Sequence, residues 1–304
     1  MEDSSNVSFK ISNPASDPKT KRLYEYICNN FGKFIMVGQQ ESPWLDVEDE
    51  IEYIYKVTGK LPAIKGFDFV GRHFEDVEQH AIEWGKQGGI VTICWHTGIQ
   101  NKCYEGSLED VPDFSKLLED NTIESRNMLL IWDEIADILV KLRDAQIPVL
   151  WRPFHEADGK WFWWGKGGSD NFIKLWRKLY NYFTYQKGLN NLIWVMGYSD
   201  NPREEGWNYW YPGDDYCDII GVDVYDGITD IAGLQTLKEI NAKKPTAILE
   251  CGRAPYIEDF EKDNVVCSYF LIWRKDFLES NGMEKLRSIY NNAKVITLDK
   301  LPQF

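Results

Sequence analysis

The sequence predicts an α/β fold, a single (β/α)8 TIM barrel with a parallel eight-stranded core. Short β-rich apolar runs alternate with amphipathic helical segments along almost all of the 304 residues, a pattern typical of a parallel sheet with crossover helices. Barrels of this kind commonly run to about 250 residues or more as one unit, so we expect a single domain over 1–304. The predicted strands are 34–37, 62–67, 90–95, 147–151, 192–196, 219–225, 246–250 and 267–273.

Three of the connecting segments carry strong helix signals. Apolar residues recur at a spacing of three or four in 74–84, 128–142 and 172–183, which places them on one helix face. Each segment is followed by a glycine or proline stop signal, and Ser169 is a candidate N-cap for the third. Residues 1–30 precede the first strand, and we expect an arm and a helix that packs under the barrel floor.

An open doubly wound sheet is the competing fold, but its dinucleotide fingerprint, G-x-G-x-x-G, is absent from the sequence. The net charge of −14 excludes nucleic acid and anionic membranes as expected partners, because phosphate recognition needs clustered lysine and arginine. A neutral polymer is compatible with this charge. The 13 tryptophans, 16 tyrosines and 15 phenylalanines exceed what a core of this size needs, so we expect some of them to face a ligand.

The cysteines, histidines and N-terminus set further limits. The six cysteines lack C-x-x-C pairs and disulfide-scaffold density, so we expect buried thiols. The four histidines are scattered, and we expect neither a metal nor another cofactor. No apolar run reaches 18 residues, and residues 1–21 lack the apolar core of a signal peptide. We expect a monomer, secreted or on the cell surface with its signal removed, or cytoplasmic if Met1 is native.

The most informative stretch is V-L-W-R-P-F-H-E-A-D-G-K-W-F-W-W-G, at residues 149–165. An apolar run ends here in a proline-stiffened turn that carries Arg152, His155 and Glu156, and three tryptophans follow within four positions. A carboxylic acid beside a histidine can move protons, and flat indole faces stack on pyranose rings. One such residue alone would be ordinary core or surface, but their density predicts a carboxylic acid placed over a sugar.

The active site of such a barrel lies at the C-terminal ends of its strands, so polar residues that follow the apolar runs are the candidates. His96, Tyr225, Glu250 and Trp273 stand at these positions, together with Asp223. A glutamate that ends an apolar strand is costly unless it faces a polar cavity. Glu156 and Glu250 are 94 residues apart, close to three βα units of about 30 residues, which puts them on strands four and seven of one barrel mouth. Two carboxylates that face each other over a pocket are what glycosidic cleavage requires.

Blander interpretations stay open for several of these residues. His96 is also compatible with a hydrogen-bonded strand-end histidine, and Arg152 either orients Glu250 or contacts substrate directly. Tyr225 is also compatible with a role that only caps the barrel rim. His73 and His80, on or near a predicted helix, are expected to be solvated. Cys251 follows Glu250 by one strand step and therefore points to the opposite face.

The residues resemble glycoside hydrolase family 26, whose best-known members are β-mannanases. The resemblance rests on the motifs R-P-F-H-E-A-D-G-K-W-F-W-W-G (152–165), I-V-T-I-C-W-H (90–96), Y-P-G-D-D-Y-C-D-I-I-G-V-D-V-Y (211–225) and K-P-T-A-I-L-E (244–250), and it covers about 38–273. It implies a catalytic domain in which Glu156 is the acid/base and Glu250 the nucleophile of a retaining double displacement.

The same resemblance implies roles for the substrate-binding candidates. His155 would tune the acid or contact substrate, and His96 would bind the sugar in the −1 subsite. Tyr225 would donate a hydrogen bond to the nucleophile, and Trp273 would form the floor of that subsite. Trp161 would border the cleavage point. Two further tryptophans, Trp163 and Trp164, would brace the loop.

One departure concerns strand three, where family mannanases often have W-H-P followed by Asn. This chain has W-H-T-G-I-Q-N at 95–101, which changes the region that shapes distal subsites. We interpret the protein as a retaining endo-β-1,4-mannanase acting on mannan, glucomannan or galactomannan. The alternatives are β-1,3-1,4-glucanase or β-1,3-xylanase activity within the family, and a non-catalytic carbohydrate-binding barrel.

Overall fold

The (β/α)8 barrel is confirmed by a computed structural model, which describes residues 9–42, 49–70, 74–99, 103–200, 206–225, 231–241 and 243–304. Eight strands pair in parallel in chain order, and the first strand pairs with both the second and the eighth, which closes the sheet. The strands are β1 Ile35–Gln40, β2 Ile64–Phe69, β3 Ile90–Trp95, β4 Val149–Arg152, β5 Leu192–Ser199, β6 Ile219–Val224, β7 Thr246–Cys251 and β8 Tyr269–Ile272, with a short β9 Val295–Ile296.

The predicted strand positions are correct, but several ends differ. Strand β5 continues three residues beyond the predicted 192–196, because Gly197, Tyr198 and Ser199 remain in register with β6. Strand β8 is shorter than the predicted 267–273. The sequence analysis missed β9, whose two residues pair in parallel with β1 and are too few to give a periodic signal.

The first described helix precedes β1, and the others lie between the strands or follow β8. The three predicted apolar faces lie on the helices Phe74–Lys86, Ile123–Asp144 and Ser169–Asn181. Ser169 is the first residue of its helix and not the N-cap, since Gly168 takes that position. The helices are α1 Pro18–Asn30, α2 Asp49–Thr58, α3 Phe74–Lys86, α4 Tyr104–Glu109, α5 Phe114–Leu118, α6 Ile123–Asp144, α7 Ser169–Asn181, α8 Ile231–Ile240, α9 Ile257–Lys262, α10 Lys275–Ser280 and α11 Met283–Asn291.

The core has two parts. The larger lies between the outer face of the sheet and the helices, where Trp132 of α6 and Trp151 of β4 are completely buried. The smaller fills the barrel floor, where Leu23, Tyr24 and Ile27 of α1 join apolar residues from the strands. At least eight of the 13 tryptophans are less than 2% exposed, so most of the aromatic excess serves the core rather than a ligand.

The sequence predicted buried thiols and no apolar run of 18 residues, and the structure bears on both expectations. All six thiols are free, five are buried and Cys103 is half-buried. The thiol of Cys251 donates a hydrogen bond to the backbone oxygen of Leu271 inside the core. Within the described ranges, no helix is both long enough and apolar enough to cross a bilayer.

Candidate active site

A cavity of about 500 Å3 opens at the C-terminal end of the barrel, where the sequence analysis placed the chemistry. Both Glu156 and Glu250 face it. Its lining residues come from six strand ends or the loops that follow them: Asp68, Val70, His96, Tyr104, Glu105, His155, Glu156, Phe162, Tyr225, Glu250, Trp273, Arg274 and Phe277.

A second cavity, of about 430 Å3, lies at the opposite end of the barrel. It is bordered by the segments that lead into β3 and β4, by part of α1 and by the last residues of the chain. None of its lining residues has a carboxylate, imidazole or thiol side chain. We therefore place the candidate active site in the first cavity, where acids and bases converge.

The loop after β4 holds Glu156 in an unusual backbone conformation. Phe154 and Glu156 have φ angles of 52° and 53°, in the left-handed region that side chains other than glycine rarely adopt. The backbone N–H of Glu156 donates a 2.9 Å hydrogen bond to the carbonyl of Gly197 on β5. A Cβ atom at Gly197 would lie 3.2 Å from the Cβ of His155, so glycine allows this close approach. Strain of this kind persists only where surrounding contacts stabilise it, and it is often found at functional sites.

Two of the three neighbouring tryptophans brace this loop from below. Trp163 and Trp164 are fully buried, and their indole nitrogens donate to the backbone oxygens of Thr97 and His155, at 2.9 and 2.7 Å. Their rings are therefore core and not sugar platforms. Trp161 is only partly buried, and its Nε1 donates a 2.9 Å hydrogen bond to Oε2 of Glu156.

Asp158 anchors the same loop and was missed by the sequence analysis. Its carboxylate accepts hydrogen bonds from the backbone N–H and hydroxyl of Ser199, at 3.0 and 2.6 Å, and from the indole of Trp207 at 3.2 Å. Burial raises the pKa of Asp158 to about 6, although these donors oppose the shift. The residue follows Glu156 by two positions, and only the tertiary contacts reveal its partners.

Glu250, near the end of β7, is held by two donors. Arg152 of β4 donates to Oε1 and the hydroxyl of Tyr225 donates to Oε2. The other terminal nitrogen of Arg152 lies 3.0 Å from Asp223, and Arg152 itself is 3% exposed and does not line the cavity. Burial and the charge of Glu250 raise the pKa of Asp223 well above its usual value. Arg152 therefore sits in the position that orients Glu250.

The environment of Glu156 favours its protonated form. Burial, followed by the negative charge of Glu250, raises the pKa of Glu156 from 4.5 to about 8, while the hydrogen bond from Trp161 lowers it. At neutral pH this group carries a proton that it can donate. The two carboxyl groups that face the cavity thus differ in their surroundings: Glu156 is protonated, and Glu250 is bound by a guanidinium and a hydroxyl. Such a difference is how one site supplies an acid and a base at the same pH.

His96 and His155 stand side by side in the lining of the cavity. Their Nε2 atoms are 2.9 Å apart, and Nδ1 of His96 lies 2.6 Å from Asp68. Burial, then the charge of Arg152, lowers the pKa of His155 well below its usual value. His96 is hydrogen-bonded to Asp68, as expected of a structural histidine at a strand end, and it also lines the cavity.

Aromatic rings form the walls of the cavity. Trp273, which follows β8, is partly exposed, and its ring centroid lies 6.0 Å from that of His96. Tyr104 of α4 is 45% exposed and lies 5.4 Å from the same imidazole. The sequence analysis identified Trp273 but missed Tyr104, Phe162, Arg274 and Phe277, because their loops and short helices have no periodic signal. Asp68 was missed although it interrupts a buried strand, the same signal that identified Glu250.

Two other histidine predictions have different outcomes. His80 was expected to be solvated, but it is half-buried and its Nδ1 lies 2.8 Å from Oε1 of Glu41, so this prediction was wrong. A buried lysine, Lys65, shares that carboxylate at 2.6 Å. His73 lies outside the described residues. So do Gln100 and Asn101, which belong to the segment after strand three that differs from the family motif.

Two clusters of three donor side chains have the spacing of a metal site: Asp68, Cys94 and His96, and His155, Glu156 and Asp223. Their chemistry fits the hydrogen-bond network better. Nδ1 of His96 lies 2.6 Å from Asp68, Nε2 of His96 lies 2.9 Å from Nε2 of His155, and Asp223 lies 3.0 Å from Arg152, so these side chains already have partners within the protein. We assign no metal to either cluster.

A sequence profile of glycosyl hydrolase family 26 matches residues 12–300. This chain belongs to glycosyl hydrolase family 26. The mannan endo-1,4-β-mannosidase of Thermothelomyces thermophilus is 33% identical over 97% of this chain and 64% of its own length. A β-mannanase from a symbiotic protist of the termite Reticulitermes speratus, solved with a gluco-manno-oligosaccharide, is 31% identical with a TM-score of 0.88 and covers 98% of this chain and 99% of its own.

A ruminal family 26 endo-β-1,4-mannanase has a TM-score of 0.91 at 28% identity, with 100% of this chain and 72% of that chain covered. The chain spans between about half and two thirds of the length of the first curated family 26 relatives it matches. The resemblance inferred from the motifs is therefore confirmed at the level of the family and the fold.

Proposed function

We propose that this family 26 protein is a retaining endo-β-1,4-mannanase that hydrolyses mannan, glucomannan or galactomannan by double displacement. The observation that carries the proposal is that Glu156, whose pKa is raised to about 8, shares one cavity with Glu250. One group supplies a proton at neutral pH, and the other, held by Arg152 and Tyr225, is the nucleophile. The names of the relatives support mannan as the substrate.

In the first step, Glu156 donates its proton to the glycosidic oxygen as the bond between that oxygen and the anomeric carbon breaks. An oxygen of Glu250 attacks the anomeric carbon and forms a glycosyl ester. Arg152 and Tyr225 donate to separate oxygens of Glu250, which keeps the carboxylate oriented for attack. The aglycone leaves as an alcohol, and Glu156 is left as a carboxylate.

The second step uses the electrostatic coupling between the two acids. Once Glu250 is esterified it carries no charge, so the second-largest cause that raises the pKa of Glu156 disappears. The pKa of Glu156 then falls, and its carboxylate takes a proton from a water molecule that attacks the anomeric carbon. The ester bond breaks, Glu250 is released as a carboxylate, and two inversions give net retention.

The surroundings of the cavity suit a sugar polymer. Partly exposed Trp273 and Tyr104 offer ring faces for pyranose stacking, and the histidine pair and Arg274 offer polar contacts along the wall. The net charge of −14 suits a neutral polysaccharide better than an anionic one. Because a polysaccharide lies outside the cell, the proposed activity favours a secreted or cell-surface protein, which cell fractionation would test. The expected monomer is a separate prediction, which ultracentrifugation would test.

The deciding experiment measures reducing-sugar release from galactomannan, glucomannan, barley β-glucan and β-1,3-xylan. We expect the two mannans to be cleaved much faster than the other two polymers, with early oligosaccharide products of mixed length. The Glu250→Ala variant is the matched control and should release almost nothing. Faster cleavage of β-glucan or xylan would replace the substrate assignment, and no cleavage of any polymer would favour the carbohydrate-binding alternative.

The nucleophile is tested separately with a 2-deoxy-2-fluoro mannoside that bears an activated leaving group. The fluorine slows the second step, so the glycosyl ester accumulates and labels the enzyme. We expect the label on the peptide that contains Glu250. Label on another carboxylate, or an inverted first product seen by NMR, would overturn the double displacement.

A further inference from the structure

Three buried side chains form a continuous hydrogen-bonded row beside the nucleophile candidate. Oδ2 of Asp68 lies 2.6 Å from Nδ1 of His96, and Nε2 of His96 lies 2.9 Å from Nε2 of His155. The other oxygen of Asp68 accepts the backbone N–H of His96 at 3.1 Å. All three residues are at most 6% exposed. Nothing in the proposed mechanism uses Asp68.

The row permits few proton arrangements. Two Nε2 atoms that face each other at hydrogen-bond distance share one proton, so one of them donates and the other accepts. The carboxylate of Asp68 can only accept, which places a proton on Nδ1 of His96. Neutral His96 then has a bare Nε2 that accepts, and His155 must carry its proton on Nε2.

The environment of His155 supports this arrangement. Its Nδ1 is buried and has no hydrogen-bond partner among the described residues. The alternatives, in which Nε2 of His96 carries a proton, would move the proton of His155 to Nδ1 and bury an N–H donor without an acceptor. Orphaned buried N–H groups are rare because they lose their hydrogen bond to water and gain none.

We propose that Asp68 is a positioning residue that fixes the proton arrangement of His96 and, through it, that of His155. The inference rests on the proposed function for its consequence, which concerns Glu250. Nε2 of His155 is 3.9 Å from Oε1 of Glu250. With its proton on Nε2 and directed to His96, His155 is a neutral neighbour that keeps an N–H, rather than a bare lone pair that would repel the carboxylate, on the side of the ring nearest Glu250. Arg152 and Tyr225 are then the donors that set its orientation.

The substitution Asp68→Asn reverses the row by a defined route. The single amide oxygen is needed by the backbone N–H of His96, so the amide NH2 group faces Nδ1 of His96. A donor at that position removes the proton from Nδ1 and moves it to Nε2. His96 then donates to His155, and His155 must carry its proton on the buried, unpartnered Nδ1.

The test is NMR of protein labelled with 15N-histidine, in which protonated and bare ring nitrogens resonate far apart. The chain has four histidines, so the spectrum can be assigned by single substitutions. In the native protein we expect His96 protonated on Nδ1 and His155 on Nε2. In Asp68→Asn we expect each histidine to switch its tautomer, with His96 protonated on Nε2 and His155 on Nδ1. His155 protonated on Nδ1 in the native protein would overturn the proposal, as would an unchanged pair of tautomers in a folded Asp68→Asn variant.

Glu41→Gln is the matched control, because Glu41 holds the Nδ1 of His80 in a second carboxylate–histidine pair outside the cavity. It should change the signals of His80 and leave those of His96 and His155 in place. The native spectrum alone tests the proton arrangement if Asp68→Asn does not fold. Neither spectrum needs substrate, so the tautomers are decided independently of the proposed mannanase activity.

The kinetic arm compares kcat and KM on a soluble mannan. Carboxylates that orient metal-bound histidines are worth about 10- to 100-fold in activity or metal affinity, and we take this as the scale for a histidine oriented without a metal. We expect a loss of about that size in kcat for Asp68→Asn with little change in KM, and near-native activity for Glu41→Gln. If Asp68→Asn switches the two tautomers but keeps the native kcat, the proton arrangement has no consequence for turnover. That result would overturn the positioning role.

Discussion

The indole of Trp161 donates a hydrogen bond to Oε2 of Glu156 across 2.9 Å, and this bond opposes the effects that keep Glu156 protonated. Burial and the charge of Glu250 raise the pKa of Glu156, whereas the indole donor stabilises its carboxylate. Trp161 was expected to border the cleavage point. Its contact with Glu156 also lowers the proton affinity of the acid.

Trp161→Phe should therefore move the alkaline limb of the pH profile to higher pH. The limb of kcat/KM reports the loss of the proton from Glu156 in the free enzyme, whose pKa is about 8. Loss of a hydrogen bond to a charged group, worth about 1.5 kcal/mol or more, corresponds to an upward shift of roughly one pH unit. Trp163→Phe is the control, since its indole bonds Thr97 and not the acid. A downward shift in Trp161→Phe would contradict this assignment.

The raised pKa of Glu156 also predicts how stability depends on pH. Between about pH 4.5 and 8 the folded protein holds a proton on Glu156 that the unfolded chain releases, so the free energy of unfolding falls as pH rises through this window. Glu156→Gln lacks that proton and should lose less stability between pH 5 and 8, by on the order of 1–4 kcal/mol.

Denaturant unfolding of both proteins at the two pH values measures the difference. Asp158, with a pKa raised to about 6, contributes a similar fall to both proteins and cancels in the comparison. Parallel pH curves for the native protein and Glu156→Gln would show that Glu156 titrates near its ordinary value.

Glu156→Ala should separate the two chemical steps. Hydrolysis of mannan needs a proton on the leaving oxygen and should fall by about 100-fold or more. Aryl mannosides with good leaving groups need no such proton, so they should still glycosylate Glu250 and then stall. Azide, a small anion that fits the space left by the carboxylate, should accelerate release as a glycosyl azide. Equal losses on both substrates without azide rescue would remove Glu156 from the acid/base role.

Trp273→Ala should lower turnover more than stability. The ring lines the cavity and is partly exposed, so its loss should reduce kcat/KM about 5- to 10-fold, as expected for a stacking contact of about 1 kcal/mol. Truncation of a fully buried tryptophan would instead cost about 3 to 5 kcal/mol of stability. Trp273→Phe keeps an apolar ring and should retain most activity. Large destabilisation of Trp273→Ala with native turnover in the folded fraction would make Trp273 a core residue.

The barrel could be predicted because its signals are local. Each strand is a short apolar run, each long helix has one apolar face, and a parallel sheet of eight strands in chain order has few ways to close. Strand ends were less certain: β5 extends to Ser199 because β6 offers hydrogen-bond partners there, which no local pattern in the sequence reveals.

For the site, the sequence by itself determined which strand ends carry acids. A charged residue that ends an apolar run must face a polar cavity, which is why Glu250 was found without a structure. Asp68 directly follows the predicted second strand, 62–67, and obeys the same rule, but it was overlooked. Tyr104 and Arg274 lie on segments without periodicity and left no comparable signal.

Only the tertiary structure decided what each polar group does. Arg152 had two possible roles in the sequence, and its burial beneath Glu250 selects orientation of that carboxylate. The residue pattern alone does not distinguish the three clustered tryptophans, although the family resemblance does; in the structure Trp163 and Trp164 are core and Trp161 bonds the acid. Periodicity reports which face of an element is buried. A proton's position or a ring's partner depends on contacts between residues far apart in the chain, such as Asp68 with His96 and His96 with His155, and those contacts exist only once the barrel has closed.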